Sequence, residues 1–344
     1  MRKFNLLLAL IEHTIGGTMI GGHVRKQVFV GSVACLALLG VTLSYQGPTR
    51  ASEFIILGTA SGPNSEATRA QPANALMVGG QLYLIDAGDG AVAQLAKANL
   101  RLPAVRAVFL SHLHFDHTAG MLAVVGLRMQ LETRGTLRVY GPPGTRAFID
   151  GLLAASAPAM RAGYGIPGQG WSADIQVTEL KDGAVLAIDG FKLTVAENSH
   201  FSMPEGNTDR AEGVSLSYRF DLADRSIVYS GDTGPSKALV ALAHGADLLV
   251  TEMIDVDGVL GAMRPAGARG AANPTPTGFE WHMHAHHMTP SQVGDLAKAA
   301  EVKRVVITHF APNPTGPEQA RRYLDAVHAQ FPGDVQLGAD LGRY

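Results

Sequence analysis

The segment Ser111-His112-Leu113-His114-Phe115-Asp116-His117 constrains this chain more than any other. It follows an apolar run, VRAVFL at 105–110, that reads as a strand leaving a sheet. Alternate residues at a strand end point the same way, so His112 and His114 can share one metal ion. Asp116 and His117 come one turn later and can face a second ion close by. The chain is therefore expected to fold so that one strand opens onto a metal site.

Composition narrows the donors. The 344 residues include 13 His and a single Cys, Cys35. One Cys excludes a disulfide scaffold, a Cys-based zinc ribbon and an iron–sulfur protein, which leaves imidazole and carboxylate. A hydrophobic share of 46% excludes a disordered chain. A net charge of −2 offers no electrostatic footprint for a long nucleic acid, so no stable nucleic-acid partner is expected.

Residues 1–51 read as a targeting region. The uncharged run VFVGSVACLALLGVTL at 28–43 follows Arg25 and Lys26 and precedes a polar exit, as in a secretory signal. The expected location is periplasmic or secreted. The alternative is a membrane anchor made by the same run, which is short for a span. Met19 and the basic segment after it look like a better start, which would make the first 18 residues a start-site artefact.

Residues 52–344 read as a single hydrolase domain. Strands are expected at 53–58, 75–78, 81–88, 105–112, 137–141, 174–180, 184–188, 191–197, 213–220, 225–230, 247–253, 302–310 and 334–338. Helices are expected at 91–100, 117–128, 144–157, 238–245 and 316–330. Another should start at Thr289-Pro290-Ser291-Gln292, where Thr is the N-cap, Pro is at N1 and Gln at N3 closes a capping box. Residues 158–173 read as a Gly/Pro-rich loop, and the Gly/Ala/Pro stretch at 255–280 as a lid insertion. Two strand-rich halves with helices between them suggest two sheets face to face with helices outside.

His112-x-His114-x-Asp116-His117 resembles the signature of the metallo-β-lactamase superfamily, whose fold is α/β, an αββα four-layer sandwich. The flanking stretches FIILGTASGP (54–63), LIDAGDG (84–90), VYGPPGT (139–145), VYSGDTGP (228–235) and VVITHF (305–310) resemble the ribonuclease Z-like branch and related arylsulfatase-type hydrolases. The resemblance implies two metal ions. His112, His114 and His200 would hold one, Asp116, His117 and His309 the other, and Asp232 would bridge them. Two Zn²⁺ suit these donors, with Mn²⁺ or Fe²⁺ as substitutes. A metal-bridged hydroxide would attack the ester, and Asp116 would orient it as well as ligate.

The resemblance also implies a general acid. His287, two residues before Thr289, matches the family histidine that protonates the leaving oxygen, and Glu252 matches its carboxylate partner. Asp86 in Leu-Ile-Asp-Ala-Gly reads either as a carboxylate that orients a ligand histidine or as a turn cap. His282, His284 and His286 read as an exposed loop with adventitious metal affinity. The lack of Cys after residue 35 moves the chain away from β-lactam hydrolysis.

The function expected on these grounds is an exported dinuclear zinc hydrolase acting on a small anionic ester, a phosphodiester or a sulfate ester, with a homodimer possible. The alternative is a ribonuclease Z-type tRNA 3′-processing endonuclease. A lactonase or β-lactamase-type hydrolase and a non-catalytic metal-binding protein rank below both.

Overall fold

The structure is a computed structural model that describes residues 51–203, 212–263 and 278–344. The targeting region lies outside the described residues except for Ala51, and so does 264–277 of the expected lid. Among the described residues no helix is long and apolar enough to cross a membrane.

Two mixed sheets form the centre. The first runs in chain order: β1 (Glu53–Gly58), β2 (Ala73–Val78), β3 (Gln81–Ala87), β4 (Val105–Phe109), β5 (Leu137–Gly141) and β6 (Ile175–Glu179). The second holds β7 (Val185–Ile188), β8 (Phe191–Glu197), β9 (Leu216–Asp221), β10 (Ser226–Tyr229), β11 (Leu248–Ile254), β12 (Arg304–Ala311) and β13 (Asp334–Leu337), also in chain order. Each sheet begins with antiparallel pairs and ends with parallel ones. In the first, β3 to β6 are parallel; in the second, β10 to β13 are.

Period-two patterning separates the layers. In β1, Phe54 and Ile56 face the second sheet, while Ile55 and Leu57 face the outer helices. Phe109, Tyr218, Phe220 and Tyr229 fill the space between the sheets. Phe109 stacks on Tyr140 with ring centroids 5.1 Å apart and meets Phe220 edge-on at 5.5 Å. Removing so central a ring, as in Phe109→Ala, costs about 3–5 kcal/mol of stability.

Helices α1 (Ala91–Lys97), α3 (Met121–Gln130) and α4 (Thr145–Ala162) cover the first sheet, with α2 (Phe115–Thr118) as a single turn beside it. Helices α5 (Lys237–Ala243), α8 (Pro290–Ala299) and α9 (Pro317–His328) cover the second. The result is the expected αββα sandwich. Thr289 caps α8, and the capping box with Gln292 is complete.

Several elements differ from those expected. The strand at 105–112 ends at Phe109, so His112 and His114 lie in the connection beyond it. The helix at 117–128 is two helices, α2 and α3. Helix α4 continues past Pro158 to Ala162, which shortens the expected loop at 158–173. Both described ends of 255–280 are helical: α6 (Val256–Met263) and α7 (Gly278–His286). Helix α6 buries Val256 and packs Val259 and Leu260 against Ile254, contacts that override the low helix propensity of its glycines.

Candidate metal centre

The candidate residues gather at the C-terminal ends of strands from both sheets, where open α/β sheets leave a crevice. His112 and His114 follow β4, and Asp116 and His117 lie in α2. His200 follows β8 and Asp232 follows β10. His309 is still inside β12.

Two β-bulges help to aim these side chains. Between β11 and β12 the register passes from Thr251↔Ile307 to Met253↔Phe310, so Thr308 and His309 oppose Glu252 alone. His309 takes a left-handed backbone with φ of 46°. In β3 the register skips Asp86, whose φ is 56°. Non-glycine residues seldom adopt this region, and bulges commonly redirect a side chain beside a functional site. His309 therefore reaches the centre differently from His112, which lies beyond the end of its strand.

The seven residues form two groups whose ligand atoms lie within 4.8 Å of one another: His112, His114 and His200; and Asp116, His117, Asp232 and His309. In the first, His200 Nε2 is 3.2 Å from His114 Nδ1. In the second, Asp232 Oδ1 is 3.2 Å from His117 Nε2, and Oδ2 is 3.2 Å from His309 Nε2. Asp232 Oδ2 is also 3.9 Å from His112 Nε2, so its carboxylate stands between the groups.

For three of the buried rings the far nitrogen fixes which near nitrogen is free to coordinate, whereas His309 Nδ1 is buried without a partner. Asp86 Oδ2 is 2.8 Å from His117 Nδ1, which places the proton there and leaves Nε2 bare. Ser111 donates its hydroxyl to Asp86 and can accept from His112 Nδ1 at 3.1 Å, which again frees Nε2. His200 Nδ1 donates to the His286 carbonyl at 3.1 Å, with the same result. Tyr229 Oη and the Ser111 N–H donate to Asp86 as well. Asp86 thus anchors one member of each group.

The donor set fits divalent ions on an independent count. Nε2 of His112 and His117 and Oδ1 of Asp232 are buried without a hydrogen-bond partner. Each unpaired buried atom costs about 1–3 kcal/mol, and an ion at the centre of each group would engage them. Asp116 is held by the Gly62 N–H at 3.0 Å. A Cβ at Gly62 would lie 2.2 Å from that carboxylate, so only glycine allows this approach.

Beside the second group stands a buried pair. Glu252 Oε2 is 2.8 Å from His287 Nδ1, and Oε1 accepts from the Thr233 N–H. Burial disfavours charge on His287, but the Glu252 carboxylate outweighs it and lifts the imidazole pKa to about 9. The His287 and His309 rings stack with centroids 6.3 Å apart, which sets the protonated ring against the metal residues.

A family model described as the β-lactamase superfamily domain matches residues 81–310. This chain belongs to the metallo-β-lactamase superfamily. Within it, the chain is 30% identical over 296 residues to a ribonuclease Z of Mycobacterium sp. strain KMS, covering 85% of this chain and 95% of that protein. It is 31% identical over 304 residues to a ribonuclease Z of Mycobacterium avium strain 104, covering 85% and 97%. These relatives place it in the ribonuclease Z-like branch. The short form of human tRNase Z shares its fold at a TM-score of 0.60 and 21% identity, over 85% of this chain and 98% of that one. So does the metallo-β-lactamase fold protein YhfI of Bacillus subtilis, at 0.60 and 17%, over 85% and 98%.

As a superfamily hydrolase the chain needs divalent-ion donors, and the two His/Asp groups supply them. The exposed loop expected for His282, His284 and His286 is instead helix α7. Only His284 is exposed; His286 is 4% exposed and donates to the Ser202 carbonyl. Sequence reasoning also missed Ser111, Asn198 and Tyr229. Ser111 opens the motif itself, and Tyr229 stands three residues before Asp232. Asn198 Oδ1 accepts from the His200 N–H at 3.1 Å.

Proposed function

We propose that this enzyme is a ribonuclease Z-type phosphodiesterase, hydrolysing an RNA phosphodiester such as the 3′ extension of a precursor tRNA. The ribonuclease Z relatives support this alternative over the small-ester expectation. The single observation that carries it is the Glu252–His287 pair beside the metal groups. A sugar hydroxyl is a poor leaving group and needs a proton as its bond to phosphorus breaks. A nitrophenolate leaves without one.

We assign His112, His114 and His200 to one divalent ion, Asp116, His117 and His309 to the other, and Asp232 to both. Imidazole and carboxylate donors suit Zn²⁺, with Mn²⁺ or Fe²⁺ as substitutes. Bound there, such ions acidify water and neutralise charge on phosphoryl oxygens. Asp116 uses Oδ2 for the Gly62 N–H, and among the described residues Oδ1 accepts no hydrogen bond. Asp116 is thus able to orient the attacking water. Glu252 holds Nδ1 of His287, so Nε2–H donates its proton to the departing oxygen. The proton released by the attacking water, passed through solvent, restores His287.

A second reading, small phosphodiesters, is favoured by the connection between β5 and β6. It holds only α4 and a short loop, and the chain carries a net charge of −2, which suits a short substrate better than a long one. The test presents metal-loaded protein with precursor tRNA, bis-p-nitrophenyl phosphate and p-nitrophenyl sulfate in parallel. Cleavage of the tRNA trailer is expected. Turnover of the nitrophenyl diester alone would favour the second reading, and turnover of none would sink the hydrolase assignment.

A further inference from the structure

Helix α7 carries a proton chain that the metal groups and the acid do not use. His286 Nε2 lies 2.6 Å from the Ser202 carbonyl, which only accepts, so Nε2 carries a proton. His286 Nδ1 lies 2.8 Å from His282 Nδ1. Two facing nitrogens this close share one proton. With His286 neutral, that proton belongs to His282 Nδ1, and His282 Nε2 is then a bare acceptor.

The His282 ring stands beside the centre. The His282 ring lies 5.4 Å from that of His200 and 5.2 Å from that of His287. Among the described residues its Nε2 forms no hydrogen bond. The phosphodiester itself offers no donor for a bare nitrogen. A hydroxyl on the carbon next to the leaving oxygen does. His287 donates and His282 accepts, side by side. That pairing complements an ester oxygen in need of a proton beside a free hydroxyl. In RNA these are the 3′-oxygen and the 2′-hydroxyl.

We propose that His282 positions substrate by accepting a hydrogen bond from the 2′-hydroxyl of the nucleotide on the 5′ side of the scissile phosphate, so that this hydrolase prefers ribose to deoxyribose there. His286 is the positioning residue that fixes the tautomer. The inference rests on the phosphodiesterase reading above and narrows it to esters with a vicinal hydroxyl.

The experiment compares kcat/KM on a short RNA and on the same RNA with one 2′-deoxy nucleotide at that position. Bis-p-nitrophenyl phosphate, which has no hydroxyl, is the reference. Wild type should favour ribose by about tenfold or more, the worth of one hydrogen bond inside a site. His282→Ala should bring the two RNAs within about twofold of each other while metal content and the reference rate hold. His282→Gln, whose amide oxygen can accept near the Nε2 position, should restore part of the preference. A wild type indifferent to the hydroxyl, an H282A variant that keeps the preference, or an equal loss on all three substrates would overturn the role of His282. Cleavage of the nitrophenyl diester with neither RNA cut would overturn both that role and the RNA reading. No turnover of the diester by wild type would overturn the phosphodiesterase reading itself.

Discussion

Two short segments hold seven of the chain's histidines, and the fold uses them in opposite ways. Residues 112–117 follow the end of β4 and turn into α2, so His112, His114, Asp116 and His117 all face the crevice. Residues 282–287 lie on α7 and the turn after it, and of them only His287 comes within reach of the donors, in a third group with His200 and Asp232. His287 pairs with Glu252, His286 binds the Ser202 carbonyl and His282, and His284 is exposed. What separates them is where the near ring nitrogen lies, since the far one faces a carboxylate both in His117, with Asp86, and in His287, with Glu252. A carboxylate anchor such as Asp86 or a carbonyl leaves a coordinating nitrogen bare. The Glu252 carboxylate lifts the imidazole pKa of His287 to about 9, which keeps the ring protonated.

Metal removal should break this contrast most strongly. Chelation should lower hydrolysis of bis-p-nitrophenyl phosphate by about 10³-fold or more, with recovery on adding Zn²⁺ or Mn²⁺. Activity that survives exhaustive chelation would deny the first segment its role. Next in size, His287→Ala should cost about 10²–10⁴-fold on RNA but far less on nitrophenyl diesters, with metal content retained. Equal losses on both substrates would move His287 out of the acid role. Asp86→Asn keeps the shape but weakens the anchor of both groups. It should reduce metal affinity by about 10–100-fold, measured by competition with a chromophoric chelator; unchanged affinity would show that the anchor is dispensable. The smallest effect belongs to the cap that sets where His287 sits. Thr289→Ala should lower stability by about 1 kcal/mol in denaturant titration, and no change would mean that the capping box carries little of α8.

The strands and the first segment were legible because their signals are local. Short apolar, β-type runs bounded by turns mark β1 to β13, and three histidines and an aspartate in one run mark the donors. His200, Asp232 and His309 each stand alone in sequence and were reached only through resemblance to the superfamily. The bulges at Asp86 and His309 were not legible, since strand register, not residue type, forces the positive φ. Helices α6 and α7 were read as loop because Gly, Ala and Pro dominate 255–280. Tertiary contacts of Val256, Met283 and His286 decide the matter instead. The chain from Ser202 through His286 to His282 spans 84 residues at its first step, so no local pattern could announce it.

The most direct measurement is the metal content of the purified protein, by elemental analysis, in wild type, His117→Ala and His282→Ala. Two divalent ions per chain are expected for wild type and for H282A, with one or none for H117A. One ion or none in wild type, or equal loss from both variants, would contradict a centre built by the first segment and only attended by the second.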